Sequence, residues 1–225
     1  MKDESGTMLI YGGSFDPPHV AHTTLPPLVA DLLGCTRILY VPAAISPHKQ
    51  DQSPANRHHR LAMLAIALAD VPNADISTLE FDREGPSYTI DTLRQLRAMH
   101  SPSVRFRLLI GADQALSFHR WKDWSAIIEL ATPVVMLRPP LTEDVFRAQL
   151  IEQYGEDEAT HWLDWTVPVP LIDASSTGIR ADLAHGVTPT DVIDPAVVSY
   201  IRREGLYGAP SALPAKTPST AKIKS

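Results

Sequence analysis

The sequence predicts an α/β fold, a Rossmann-like, mostly parallel sheet with helices on both faces and a small helical part toward the C-terminal end. Three observations carry this expectation. Short, unbroken apolar runs end abruptly at glycine or proline, as buried parallel strands do. Segments of helical periodicity lie between them, and strand and helix alternate along a chain of 225 residues, long enough for one substantial core.

Met8 to Tyr11 is the first such run, closed by Gly12-Gly13. Val20 to Leu33 reads as a helix, with Pro26-Pro27 inside it predicting a kink or a late start, because proline has no backbone donor and crowds the preceding turn. Arg37 to Val41 is a second strand, ended by Pro42, and Pro54 to Ala69 a second helix. In the helix from Tyr88 to Met99 the apolar residues Ile90, Leu93, Leu96 and Met99 recur every three positions and define one buried face. Arg105 to Ile110, stopped by Gly111, and Pro133 to Leu137, stopped by Arg138-Pro139-Pro140, complete four core strands. Trp124 to Leu130 and Glu143 to Tyr154 read as helices and Thr166 to Ile172 as a further strand. Ser176 to Ala184 and Pro195 to Arg203 read as closing helices.

Residues 1 to 7 form a polar leader, residues 8 to 208 a single domain, and residues 209 to 225 a tail of Ala, Pro, Ser, Thr and Lys with too little apolar area to order itself. A net charge of -6 gives the chain no overall attraction for nucleic acid or an anionic membrane, so neither is expected as a partner. Cys35 is the single cysteine, which rules out an intramolecular disulfide. No apolar stretch approaches the ~20 residues that span a bilayer, and the expected location is cytoplasmic. Homo-oligomerisation is left open.

Ligands of such folds bind at the carboxyl ends of the strands. There Gly12 and Gly13, lacking Cβ atoms, allow close approach of a ligand, and a helix beginning near His19 turns its unpaired amides to the same crevice, a setting suited to phosphate. His19 and His22 are three apart, so both imidazoles lie on one face of the first turn. On these residues alone a phosphate site, a metal site or two surface histidines all remain open, although zinc would need further ligands.

The segment Gly12-Gly13-Ser14-Phe15-Asp16-Pro17-Pro18-His19-Val20-Ala21-His22 resembles the signature of the nucleotidyltransferase superfamily, Gly-x-Phe-Asp-Pro-x-His-x-Gly-His, with Ala21 where glycine is usual. Ser175-Ser176-Thr177-Gly178-Ile179-Arg180 is similar to that superfamily's late-helix phosphate element. Five further stretches resemble the bacterial nicotinate-nucleotide adenylyltransferase family: Val41 to Lys49, Pro86 to Leu93, Leu109 to Asp113, His119 to Trp121 and Ile201 to Tyr207.

The resemblance implies adenylyl transfer from ATP to nicotinate mononucleotide. It makes Gly12, Gly13, Ser14, Phe15, Gly111, Asp113, Ser176 and Thr177 ATP-binding, with Asp113 on the ribose hydroxyls, and assigns His19, His22 and Arg180 to charge stabilisation at the transferring phosphate. His48 and Lys49 would meet the acceptor's 5′-phosphate, Trp121 would stack on the pyridine ring, backbone amides near Thr89 and Lys122 would read its carboxylate, and Tyr88 belongs to the same substrate-binding set. Mg²⁺ is expected with ATP and no protein metal ligand is named. Nicotinamide mononucleotide or 4′-phosphopantetheine as acceptor, and a non-catalytic nucleotide sensor, are the competing readings.

Overall fold

The computed structural model describes residues 5–44 and 55–209. Six parallel strands form one sheet in the order β3-β2-β1-β4-β5-β6: β1 (Gly6–Gly13), β2 (Arg37–Pro42), β3 (Ala74–Ile76), β4 (Val104–Gly111), β5 (Thr132–Met136) and β6 (Thr166–Val167). The order runs outward in both directions from β1 and β4, which pair in parallel from Gly6 with Val104 to Tyr11 with Leu109. That pair is the topological switch point, where a doubly wound sheet opens a crevice beyond its carboxyl ends.

Along the central strands successive side chains point to opposite faces of the sheet, as a period of two requires, and both faces are buried. Met8, Ile10, Leu108 and Ile110 pack in one core, while Leu9, Ile38, Tyr40 and Leu109 pack in another on the opposite face. The first core is covered by α3 (Thr89–Met99), α5 (Trp124–Leu130), α6 (Glu143–Tyr154) and α7 (Glu156–Asp164). The second lies under α1 (Val20–Leu32) and α2 (Arg57–Ala67). The C-terminal helices α8 (Ser176–Ala184) and α9 (Pro195–Arg203) form a third cluster with Met63 of α2. Of the apolar stripe on α3, Ile90, Leu93 and Leu96 are buried, whereas Met99 at the helix end is exposed.

Four differences from the sequence reading have physical causes. The sixth strand stops at Val167, because Pro168 and Pro170 cannot donate to a ladder. The three-residue β3 and the helices α4 (Ala112–Leu116) and α7 escaped the reading, the first two being too short for periodicity to declare them. Strand β1 starts at Gly6, two residues early, and residues 1–4 and 210–225 lie outside the described part. Finally, α1 runs from Val20 through Pro26 and Pro27 to Leu32 with no late start. Pro26 has no N–H to give the carbonyl of His22, four residues back, and the Tyr40 hydroxyl donates to that carbonyl instead, at 2.9 Å.

Candidate functional site

The segment after β1 carries the first half of the site. Gly13 is required by its neighbour: a Cβ there would lie 2.9 Å from the Phe15 ring. Phe15 takes a left-handed φ of 48° and sends its ring into the core, 5.7 Å from Tyr11 and 5.0 Å from the His22 ring. Only its backbone therefore faces the crevice side of the turn. At Gly12 the nearest atom to a Cβ would be the Val41 carbonyl, 4.0 Å away, so space for a ligand and not a packing clash is what glycine provides there.

His19 caps α1 and is 7% exposed. Its ring stacks on that of His22 with centroids 3.7 Å apart, and its backbone N–H donates to His22 Nδ1 at 3.1 Å. Acceptance at Nδ1 puts the proton of a neutral His22 ring on Nε2, a donor suited to phosphate oxygen. The Nδ1 of His19 is buried and has no hydrogen-bond partner. Burial, followed by the positive charge of Arg138, lowers its pKa to about 4, so His19 is neutral at pH 7 until an anion approaches.

The late helix is joined to this turn. Ser175 caps α8 by accepting the Gly178 N–H at 3.1 Å, Ser176 Oγ donates to the Pro17 carbonyl at 2.9 Å, and Arg180 Nη1 donates to the Asp16 carbonyl at 2.7 Å. Thr177 Oγ1 accepts from Arg180 at 3.4 Å. Residues 160 positions apart in sequence thus form one structure, with buried Asp16 at its centre. The Asp16 carboxylate accepts from the Tyr207 hydroxyl at 2.6 Å and from the Ala55 N–H at 3.2 Å, with the Arg180 guanidinium 3.9 Å away. Tyr207 holds this position at a left-handed φ of 57°. Its hydroxyl is kept protonated by burial and by the neighbouring carboxylate.

At the end of β4, Gly111 caps the short helix α4 and Asp113 stands in its first turn. A Cβ on Gly111 would lie 2.7 Å from Asp113 Oδ1. The Asp113 carboxylate pairs with Arg138 at 2.7 Å, and Arg138 follows β5. The charges of Arg138 and Asp113 both reach Tyr11, whose hydroxyl burial pushes well above its ordinary pKa.

The other half of the site lies at the start of α3 and the turn before α5. Tyr88 caps α3 and Thr89 is its first residue, so the Thr89 amide is among those without an intrahelical acceptor. Lys122 Nζ lies 4.6 Å over the Tyr88 ring and 3.1 Å from Asp91 Oδ2. Trp121 stacks on Phe118 at 4.8 Å and is half-buried. Of the four residues named for the ring end, Tyr88 and Lys122 are thus in direct contact, with Thr89 and Trp121 next to them in the chain. His48 and Lys49 fall outside the described residues.

Sequence reasoning assigned no role of their own to Asp16, Arg60, Arg138 and Tyr207. Arg138 had a signal, a cation directly after an expected strand. So did Arg60, a charge on the buried stripe of α2 with Met63 and Leu64. Tyr207 ends the stretch Ile201 to Tyr207 that resembles the family, but only the fold brings it to Asp16. Among the described residues no three His, Cys, Asp or Glu side chains group as a metal site, and no helix is long and apolar enough to cross a membrane.

Residues 10–182 match the model of the cytidylyltransferase-like family. A Geobacillus thermodenitrificans protein named probable nicotinate-nucleotide adenylyltransferase is 38% identical over 204 residues, covering 91% of this chain and 87% of its own. An Escherichia coli nicotinate-nucleotide adenylyltransferase is 32% identical over 208 residues, covering 88% and 97%. The structure of a Plasmodium falciparum nicotinic acid mononucleotide adenylyltransferase complexed with NaAD superposes with a TM-score of 0.71 at 21% identity, covering 90% of this chain and 97% of that one.

Proposed function

The chain belongs to the nicotinate-nucleotide adenylyltransferases of the cytidylyltransferase-like family, and from that membership we propose that it transfers the adenylyl group of ATP to nicotinate mononucleotide, a step of NAD biosynthesis. An oxygen of the acceptor's phosphate attacks the α-phosphorus of ATP, the bond to the β-phosphate breaks, and nicotinate adenine dinucleotide and pyrophosphate leave. No protein nucleophile is needed, so positioning and charge stabilisation carry the rate.

The observation that carries this reading is His19, whose buried Nδ1 lacks a partner beside the Nε2 donor of His22. A buried polar atom left unpaired costs about 1–3 kcal/mol, a cost that sets His19 apart from the other buried polar side chains among the described residues. The two histidines, the α1 amides and Arg180 would bind the triphosphate, with Gly12, Gly13, Ser14 and Phe15 contributing backbone and Ser176 and Thr177 hydroxyls from α8. Asp113, with Gly111 leaving room beside it, would take the ribose hydroxyls. The amides at Thr89 and Lys122 would receive the nicotinate carboxylate, with Tyr88 and Trp121 forming the walls of the ring pocket. His48 and Lys49 are assigned to the acceptor phosphate on resemblance.

Mg²⁺ fits as an ion carried in by ATP, neutralising phosphate charge. The nearby carboxylates are already engaged, Asp16 with Tyr207 and Ala55, Asp113 with Arg138. Turnover of nicotinate and nicotinamide mononucleotides, each with ATP and Mg²⁺, tests the assignment by pyrophosphate release. The acid form is expected to be preferred. Preference for the amide refutes the acceptor, and ATP binding without turnover on either refutes the enzyme.

A further inference from the structure

Apart from Thr7 and His19, every buried polar or charged side chain among the described residues, namely Asp16, Arg60, Glu80, Ser87 and Thr92, belongs to one hydrogen-bonded system. Buried polar groups are costly unless fully satisfied, so their concentration beneath one end of the sheet calls for a reason.

Arg60 is the centre of that system. It is 2% exposed, and among the described residues its guanidinium donates to backbone carbonyls alone: Ser14 at 3.0 Å, Ala43 at 2.6 Å, Ala44 at 3.3 Å and Ala55 at 3.1 Å. These acceptors come from three places, the turn after β1, the residues after β2 and the entry to α2. One face of the guanidinium lies 5.2 Å from the Phe81 ring centre. The chain of contacts then continues toward α3. The Ala44 N–H donates to Ser87 Oγ at 2.9 Å, Ser87 bonds to Glu80, and Thr92 Oγ1 donates to Glu80 Oε1 at 2.7 Å. Ser87 and Thr92 flank the first turn of α3, which holds Thr89.

We propose that Arg60 is a positioning residue that fixes the spacing between the turn after β1 and the backbone at Ala43 and Ala44, and through Ser87 the start of α3. Resting on the proposed function, this means that Arg60 sets how squarely the acceptor phosphate meets the α-phosphorus without touching either substrate. A planar fork with five donors, carried on a helix packed in two cores, can hold three backbone segments in fixed geometry. A lysine ammonium is a single point and cannot span them.

The test is Arg60→Lys in the full chain, with steady-state kinetics in both substrates and amide hydrogen exchange on the free protein. Misplacing reacting groups by about an ångström costs up to ~100-fold in rate. The expected result is kcat lower by ~10- to 100-fold with each KM within about threefold, and faster exchange confined to residues 14–16 and 43–44. Ser87→Ala, which keeps the fork and cuts its link to α3, is expected to lower kcat in the same direction by a smaller factor, and it decides the matter if Arg60→Lys does not fold. A kcat within about threefold of wild type, a change confined to one KM, or exchange raised evenly across the sheet would each overturn the proposal. If the wild type turns over no pyridine mononucleotide, the functional reading fails, and the exchange pattern alone decides the role of Arg60.

Discussion

The phosphate end of the site and the ring end are built differently. Around the turn after β1 the charged groups are bonded to backbone, Asp16 to Ala55, Arg180 to the Asp16 carbonyl and Arg60 to four carbonyls, with Asp16 and Arg60 buried and Arg180 partly so. At the other end two ion pairs lie open to solvent, Lys122 with Asp91 at 3.1 Å and Arg94 with Asp123 at 3.1 Å. Exposed pairs contribute about 0–1 kcal/mol, whereas cutting a buried bonded charge strands its partners. On the proposed function the half built on buried, bonded groups is where charge develops in the reaction, and preorganised donors act without a reorganisation cost at that moment. On the same proposal the other end has only to recognise a flat heterocycle, which softer walls can do.

Three measurements would break or sharpen that contrast, beginning with the largest effect. His19→Ala should lower turnover by ~100-fold or more with little loss of folding stability, as removal of a transition-state donor does. Near-normal turnover would remove His19 from the chemistry. Next, Asp16→Ala should destabilise the fold by about 2–4 kcal/mol in urea melts, because the Tyr207 hydroxyl and the Ala55 amide lose their acceptor. Lys122→Ala should cost less than about 1 kcal/mol. Equal losses would erase the distinction between the two ends.

The smallest effect is in pH dependence. Burial depresses the His19 pKa to about 4, below its unfolded value, so the unfolded chain binds more protons between those two pH values. This contribution to stability is complete above about pH 6.5 and is lost as pH falls toward 4. Triphosphate charge next to His19 works in the opposite direction, so ATP binding near pH 5.5 should take up protons. Calorimetry in two buffers of different ionisation enthalpy would detect this, and His19→Ala should abolish it. Unchanged uptake in the variant would assign the proton elsewhere.

The layered fold was legible in the sequence because its signals are local. Met8 to Tyr11 and Arg105 to Ile110 are apolar runs with abrupt stops, and Glu143 to Tyr154 begins and ends where the structure has it. The pairing of His19 with His22 was legible for the same reason, since three residues on a helix fix which side chains meet. What joins the two histidines to α8 was not. The bonds from Arg180 and Tyr207 to Asp16 cross more than 160 positions, and no local pattern encodes them. The unbroken passage of α1 through Pro26 and Pro27 was missed likewise, because the residue that compensates for Pro26 sits on β2.

That compensation makes positions 26 and 40 epistatic. In a chain with an ordinary residue at position 26, the helix would supply its own donor to the His22 carbonyl and the Tyr40 hydroxyl would be redundant. With proline there, the hydroxyl is the donor, 18 residues away in sequence. The backbone of His22 therefore takes its reference from the sheet as well as from the helix that carries it. Tolerance to change at Tyr40 cannot be judged from its own burial alone, and a relative without the proline would be a misleading guide to it.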